Sequence, residues 1–205
     1  MRAFVIAMRC EADAVEPHLK AGDRLYVAGI GKVNAAAATQ KAICEGADEI
    51  WNVGLCGGFG DDIAVGDVFT VDRAVEYDFD LAKLNGTAIG VLNEYDSPYL
   101  ELDSPASLVS RLASCPWCRG EKILATGDRF NDSEADDELI TETLGASLRD
   151  MEGAAIAHVC KRFGVKCLSL KCVSDVAGKG AMTAQYAANK RLCLEKLTQA
   201  MKEII

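Results

Sequence analysis

Two spacings of apolar residues alternate along the 205 residues of this chain. Short apolar runs suited to strands occupy Ala3–Met8, Arg24–Ala28, Glu49–Val53, Asp67–Val75, Ile123–Thr126 and Lys166–Val173. Between them, segments with helical spacing cover Ala12–Lys20, Asn34–Glu45, Asp136–Leu144, Gly153–Phe163 and Tyr186–Ile204. Strands that alternate with helices predict an α/β fold, with a mostly parallel or mixed sheet covered on both faces in three α/β/α layers. No repeat, low-complexity tract or linker interrupts the pattern, so one domain spanning 1–205 is expected. Tyr77–Pro116 is the least regular stretch, rich in Asn, Gly, Asp, Ser and Pro, and reads as a hairpin with loops.

Ligands of open α/β sheets sit beyond the carboxyl ends of the strands. The segments to inspect are therefore Arg9–Glu11, Gly29–Lys32, Gly54–Phe59, Gly127–Asn131 and Ser174–Asp175, which the fold would gather at one edge. The ligand class is narrowed by charge. A formal net charge of −9 opposes binding to nucleic-acid phosphates and anionic membranes, but not to an uncharged small molecule. Apolar runs such as Phe4–Met8 are far shorter than the about 18 residues of a membrane span. The N-terminal run reads as a first strand rather than a signal peptide. Nine cysteines, mostly in apolar company, suit buried thiols in a reducing cytoplasm. Cys115-Pro-Trp-Cys118 precedes a strand instead of opening a helix, which favours a surface turn over a redox site. With only His18 and His158 to supplement thiols, no metal site is expected.

Three acids stand at useful positions. Glu11 follows the first strand, where it could serve as a base on water or simply as a helix N-terminal acid. Asp175 ends an apolar strand, where burial could keep it protonated, although Ser174-Asp175 could equally cap the next segment. Glu152 opens an alanine-rich helix, and a buried carboxylate there needs hydrogen-bond partners such as sugar hydroxyls. Gly57 lies in a Gly-Gly pair that lets backbone approach a ligand, and Phe130 is a loop aromatic able to stack on a base or anchor a core.

Taken in order, the motifs resemble the nucleoside phosphorylase and nucleosidase family. They are Ala7-Met-Arg-Cys-Glu11, Gly29-Ile-Gly-Lys-Val-Asn34, Asn52-Val-Gly-Leu-Cys-Gly-Gly58, Val65-Gly-Asp-Val68, Ala125-Thr-Gly-Asp-Arg-Phe-Asn131, Asp150-Met-Glu-Gly-Ala-Ala155 and Val173-Ser-Asp-Val-Ala177. The likeness is greatest to the 5′-methylthioadenosine/S-adenosylhomocysteine nucleosidases. It implies a central mixed sheet that closes partly into a barrel, a homodimer, no cofactor, and a purine nucleoside as the small-molecule partner. It implies Asp175 as the general acid to the purine, oriented by Ser174, and Glu11 as the holder and base of the attacking water. It further implies Glu152 on the ribose hydroxyls, Met151 against the sugar, Phe130 stacked on the base and the Asn131 backbone at the base edge. A phosphorylase, a nucleosidase for another 5′ group such as futalosine, and a non-catalytic nucleoside-binding protein are the alternatives. Lys171 stands where the family usually has arginine, and Arg9-Cys10 where it usually has two acids.

Overall fold

The computed structural model describes residues 1–130 and 132–205. Eight strands form one mixed sheet: β1 (Arg2–Ile6), β2 (Arg24–Val27), β3 (Glu49–Gly58), β4 (Val68–Glu76), β5 (Leu100–Glu101), β6 (Cys118–Thr126), β7 (Leu148–Asp150) and β8 (Lys166–Val176). They run in the order β2-β1-β3-β7-β6-β4-β5, and β8 pairs with both β3 and β4. The circuit β3-β7-β6-β4-β8 therefore closes on itself, which is the expected barrel-like part, while β2 and β1 extend from it as an open wing. β8 is buried almost throughout because it lies parallel to β3 and antiparallel to β4. That double pairing explains its near-continuous apolar sequence.

Helices cover both sides, and a short one, α5 (Glu134–Glu138), follows β6. On one side α2 (Lys32–Cys44) and α6 (Gly153–Phe163) pack Ile156 and the small residues Ala35, Ala42, Ala154, Ala155 and Ala157 against the sheet. On the other, α1 (Arg9–Val15) and α7 (Met182–Ile204) bury Ala12, Val15, Leu197 and Met201 against Phe4, Trp51 and Leu170. No helix among the described residues is long and apolar enough to cross a membrane.

The structure departs from the sequence expectations in four places. Tyr77–Pro116 holds two short helices, α3 (Ala82–Asn85) and α4 (Ala106–Leu112), and its one strand, β5, pairs back onto β4 rather than forming a hairpin of its own. Strand β3 does not stop at Val53 but runs on through Gly58, paired with β8 along its length and with β7 at its end, so Gly57 is a strand residue at a bulge. Strand β7 was not expected, because two of its three residues, Arg149 and Asp150, are polar yet buried. The Cys115–Cys118 segment is a turn closed by Cys118 N–H donating to Cys115 O at 3.0 Å. The turn reaches the surface at the exposed Pro116, but its thiols do not: Cys115 is buried and Cys118 half-buried, and burial next to Cys115 pushes the Cys118 thiol up to about 12.

Candidate active site

The expected strand-end segments meet at a cavity of about 390 Å³. Glu11, Gly57, Phe130, Met151, Glu152, Ser174 and Asp175 all line it. Asn131 lies outside the described residues.

Glu11 enters from the first turn of α1 and is 3% exposed. Its Oε2 accepts Met8 N–H at 3.0 Å and its Oε1 accepts Leu55 N–H at 2.8 Å. One carboxylate thus both serves the helix start and faces the cavity. A side chain at position 54 would set its Cβ 2.8 Å from Glu11 Oε1, which is why glycine stands there. Burial raises the Glu11 pKa; the Leu55 amide, Lys171 and the Met8 amide oppose the rise.

Glu152 precedes α6, and its Oε1 accepts Gly31 N–H at 2.8 Å, which ties the Gly29–Lys32 turn to the cavity. That turn is held from behind as well. Lys32 donates its backbone N–H to Asp128 and its ammonium to Asp78 and Glu76, at 2.8, 2.6 and 3.1 Å. Burial first, and the neighbouring Asp150 second, push Glu152 up to about 7.

Under these two acids lies Lys171, 1% exposed in the middle of β8, with its Nζ 2.8 Å from Asp150 Oδ2. Burial works against its charge, but Asp150, Glu152 and Glu11 outweigh it and hold the ammonium protonated. Asp150 also accepts the Thr126 hydroxyl at 2.6 Å and Gly153 N–H at 2.9 Å, fixing β6, β7 and the start of α6 together.

Asp175 lies across the cavity, 3% exposed. Its Oδ1 sits 3.0 Å from where a Cβ on Gly57 would be, so Gly57 leaves the room the carboxyl occupies. The Ser174 hydroxyl lies 2.7 Å from Asp175 Oδ2 and 3.2 Å from Cys56 O. A hydroxyl has one proton, so it can donate to one of these acceptors only. Both contacts are hydrogen bonds when Asp175 carries a proton and donates it to Ser174, which then donates to Cys56 O. Burial likewise raises the Asp175 pKa, against the opposing Ser174 hydroxyl and Arg149. Phe130, half-exposed, stands edge-on to Tyr186 with ring centroids 6.0 Å apart and forms an aromatic wall.

The sequence reading missed Tyr186, Arg149 and Asp150 as cavity residues and gave Lys171 no role. A lysine inside the apolar run Leu168–Val173 was the available signal for the buried ion pair.

Residues 22–205 match the model of the phosphorylase superfamily. The chain belongs to that superfamily. Among curated proteins it is 30% identical over 184 residues to the 5′-methylthioadenosine/S-adenosylhomocysteine nucleosidase of Anoxybacillus flavithermus, covering 86% of this chain and 78% of the relative. It is also 30% identical over 155 residues to the aminodeoxyfutalosine nucleosidase of Helicobacter pylori, covering 74% of this chain and 66% of that one. Among solved structures, futalosine hydrolase of Helicobacter pylori superposes with a TM-score of 0.90 at 22% identity, over 99% of this chain and 96% of that chain. Such superposition establishes the nucleoside phosphorylase-like fold.

Proposed function

We propose that this member of the superfamily is a purine nucleosidase that hydrolyses the N-glycosidic bond of 5′-methylthioadenosine and S-adenosylhomocysteine, releasing adenine and the thio-ribose. The observation that carries this reading is the convergence of three buried acids, Glu11, Glu152 and Asp175, on one cavity of nucleoside size in this fold.

The bond to adenine breaks as positive charge builds on the sugar and negative charge on the base. Asp175, protonated, turns its proton from Ser174 to purine N7 as the base departs, and the Ser174 hydroxyl then donates to the carboxylate left behind. The C–N electron pair moves into the base, which leaves neutral. Glu11 holds a water below the anomeric carbon and takes its proton as the new C–O bond forms. Glu152 accepts hydrogen bonds from the ribose hydroxyls, with Met151 against the sugar and Phe130 over the base. The Asn131 backbone is assigned the base edge. Negative charge from Glu11, Glu152 and Asp150 stabilises the cationic sugar more than the neutral substrate, which is where catalysis gains.

Water is favoured over phosphate as nucleophile on electrostatic grounds. The sugar side of the cavity is lined by Glu11, Glu152 and Asp150, which repel a phosphate dianion. Arg9, the one arginine near the first turn, is turned onto its own helix, 3.6 Å from Asp13 and 3.3 Å from Glu16.

The same reading takes the protein as a homodimer of the cytoplasm. Ile30, which lines the cavity, and nearby Val33 are apolar yet 52% and 80% exposed, a surface a second copy would cover. The nine cysteines are free thiols. The similarity to aminodeoxyfutalosine nucleosidase supports a second reading, in which the chemistry is unchanged and the 5′ substituent is larger.

Release of free base from methylthioadenosine, S-adenosylhomocysteine, adenosine, inosine and futalosine, with and without phosphate, tests the proposal. Phosphate-independent release of adenine from the thio-nucleosides is expected. A requirement for phosphate would make the protein a phosphorylase, and release from futalosine alone would move the substrate to the second reading.

A further inference from the structure

Arg149 is a buried guanidinium on the cavity wall to which the chemistry above gives no part. Its position follows from strand register. Gly57 of β3 is paired with Arg149 of β7 on one side and with Asp175 of β8 on the other. The three residues form one row across the sheet, and in-register neighbours project to the same face. Since Gly57 has no side chain, Arg149 and Asp175 flank an open gap into which the Asp175 carboxyl leans. The guanidinium is held in place by Asp137 Oδ1, 3.2 Å from its Nη1, by the Met182 sulfur 3.6 Å from its Nη2, and by the Phe59 ring beneath it at 5.3 Å.

We propose that Arg149 is a positioning residue for the general acid, placing a fixed positive charge beside Asp175 across Gly57 so that the carboxylate formed on proton transfer is stabilised. This rests on the nucleosidase reading. In the ground state Asp175 is a neutral acid, and the guanidinium gains little from it. As the proton passes to the leaving base, one negative charge appears on the carboxyl. A preorganised cation in a water-poor site then stabilises the transition state selectively. Among the described residues, the other charged or titratable groups near Asp175 are Asp132, the thiols of Cys56 and Cys193 and, on the wall of the same cavity, Tyr186, none of which supplies a positive charge. Asp137 is 30% exposed at the side chain, so it anchors Arg149 while solvent weakens its hold on that charge.

The test is the pH dependence of kcat for methylthioadenosine hydrolysis by wild type, Arg149→Met and Arg149→Lys. Turnover needs Asp175 protonated, so its pKa sets the limb on which rate falls as pH rises. Removing a cation that lowers this pKa moves the limb to higher pH. Arg149→Met is expected to lose about 10²-fold in kcat while its basic limb moves upward. Arg149→Lys is expected to keep the limb near its wild-type place and recover most of the rate. A merely structural role would lower the rate and leave the limb in place, and that result overturns the proposal, as does an unchanged kcat in Arg149→Met. If Arg149→Met does not accumulate as folded protein, Asp137→Asn supplies the test with the opposite sign. It frees more of the guanidinium charge and moves the limb to lower pH; an unmoved limb again counts against the role. Absence of base release by wild type would instead overturn the nucleosidase reading itself.

Discussion

The two sides of the cavity hold their carboxyl groups with different hydrogen-bond partners. On the side proposed for the sugar, one ammonium, Lys171, is set against three carboxylates, Asp150, Glu11 and Glu152. On the side proposed for the base, Asp175 has the Ser174 hydroxyl and the Arg149 guanidinium for company, with Asp132 nearby and Asp137 on the guanidinium. Burial raises the pKa of Glu11, Glu152 and Asp175 alike, yet the consequences differ. The sugar side holds more negative charge than its cation neutralises, so Glu11 and Glu152 compete for a proton and their titrations belong to the pair. Once that proton is lost, the side is primed for a cationic sugar. In the proposed mechanism burial keeps a proton on Asp175, against Arg149, until the leaving group takes it. The same burial is compatible with a base at one end, because Glu11 accepts two backbone N–H groups that can only donate, and with an acid at the other, because the Ser174 hydroxyl can accept the Asp175 proton.

Breaking the acid side should have the largest effect. Asp175→Asn removes the transferable proton while keeping the shape, and kcat for base release should fall by about 10⁴-fold, the upper range for one acid–base group. Binding of adenine, followed by calorimetry, should survive. Glu11→Gln attacks the other end; the loss should reach about 10³-fold in kcat, because water then has no positioned base. Lys171→Met tests the balance itself. It leaves Asp150 buried without its cation, and unfolding in urea should reveal a loss of about 3–5 kcal/mol. Glu152→Gln is milder. In wild type, kcat/KM should rise with pH through about 7 as Glu152 ionises. In the variant that rise should move to lower pH, since Glu152 no longer titrates and no longer adds charge beside Glu11, with a plateau reduced by about 10²-fold. The smallest effect belongs to Phe130→Leu. A half-exposed ring gives up only a stacking contact, of about 1 kcal/mol, visible in KM.

What the sequence could reveal divides along a similar line. The strands and helices that flank β3 and β8 were legible because apolar spacing dictates them, and Glu11, Glu152 and Asp175 were legible because they stand at strand or helix ends. The family motifs carried the choice of chemistry, which the positions alone left open. Strand β7 stayed hidden because Arg149 and Asp150 look like surface residues until their partners Asp137 and Lys171, which lie in other elements, are brought to them. The extension of β3 stayed hidden for a related reason. Gly54, Gly57 and Gly58 read as a loop, whereas two of them are glycine to make room for Glu11 and Asp175. Charge networks and close approaches depend on distant residues, and local pattern does not record them. Tyr186 was read correctly as helical, but the turn of α7 that meets Phe130 depends on how that helix docks.

The claim that the two ends of the cavity do opposite proton chemistry is tested most directly by wild-type pH–rate profiles on two leaving groups. One substrate is methylthioadenosine, whose base must be protonated. The other is the 4-nitrophenyl glycoside of the same 5′-methylthio-ribose, whose leaving group departs without a proton. The account predicts a rise in kcat/KM with pH through neutrality for both substrates, and a fall at higher pH for the purine alone. A high-pH fall shared by both, or a rise missing from the nitrophenyl substrate, would contradict it.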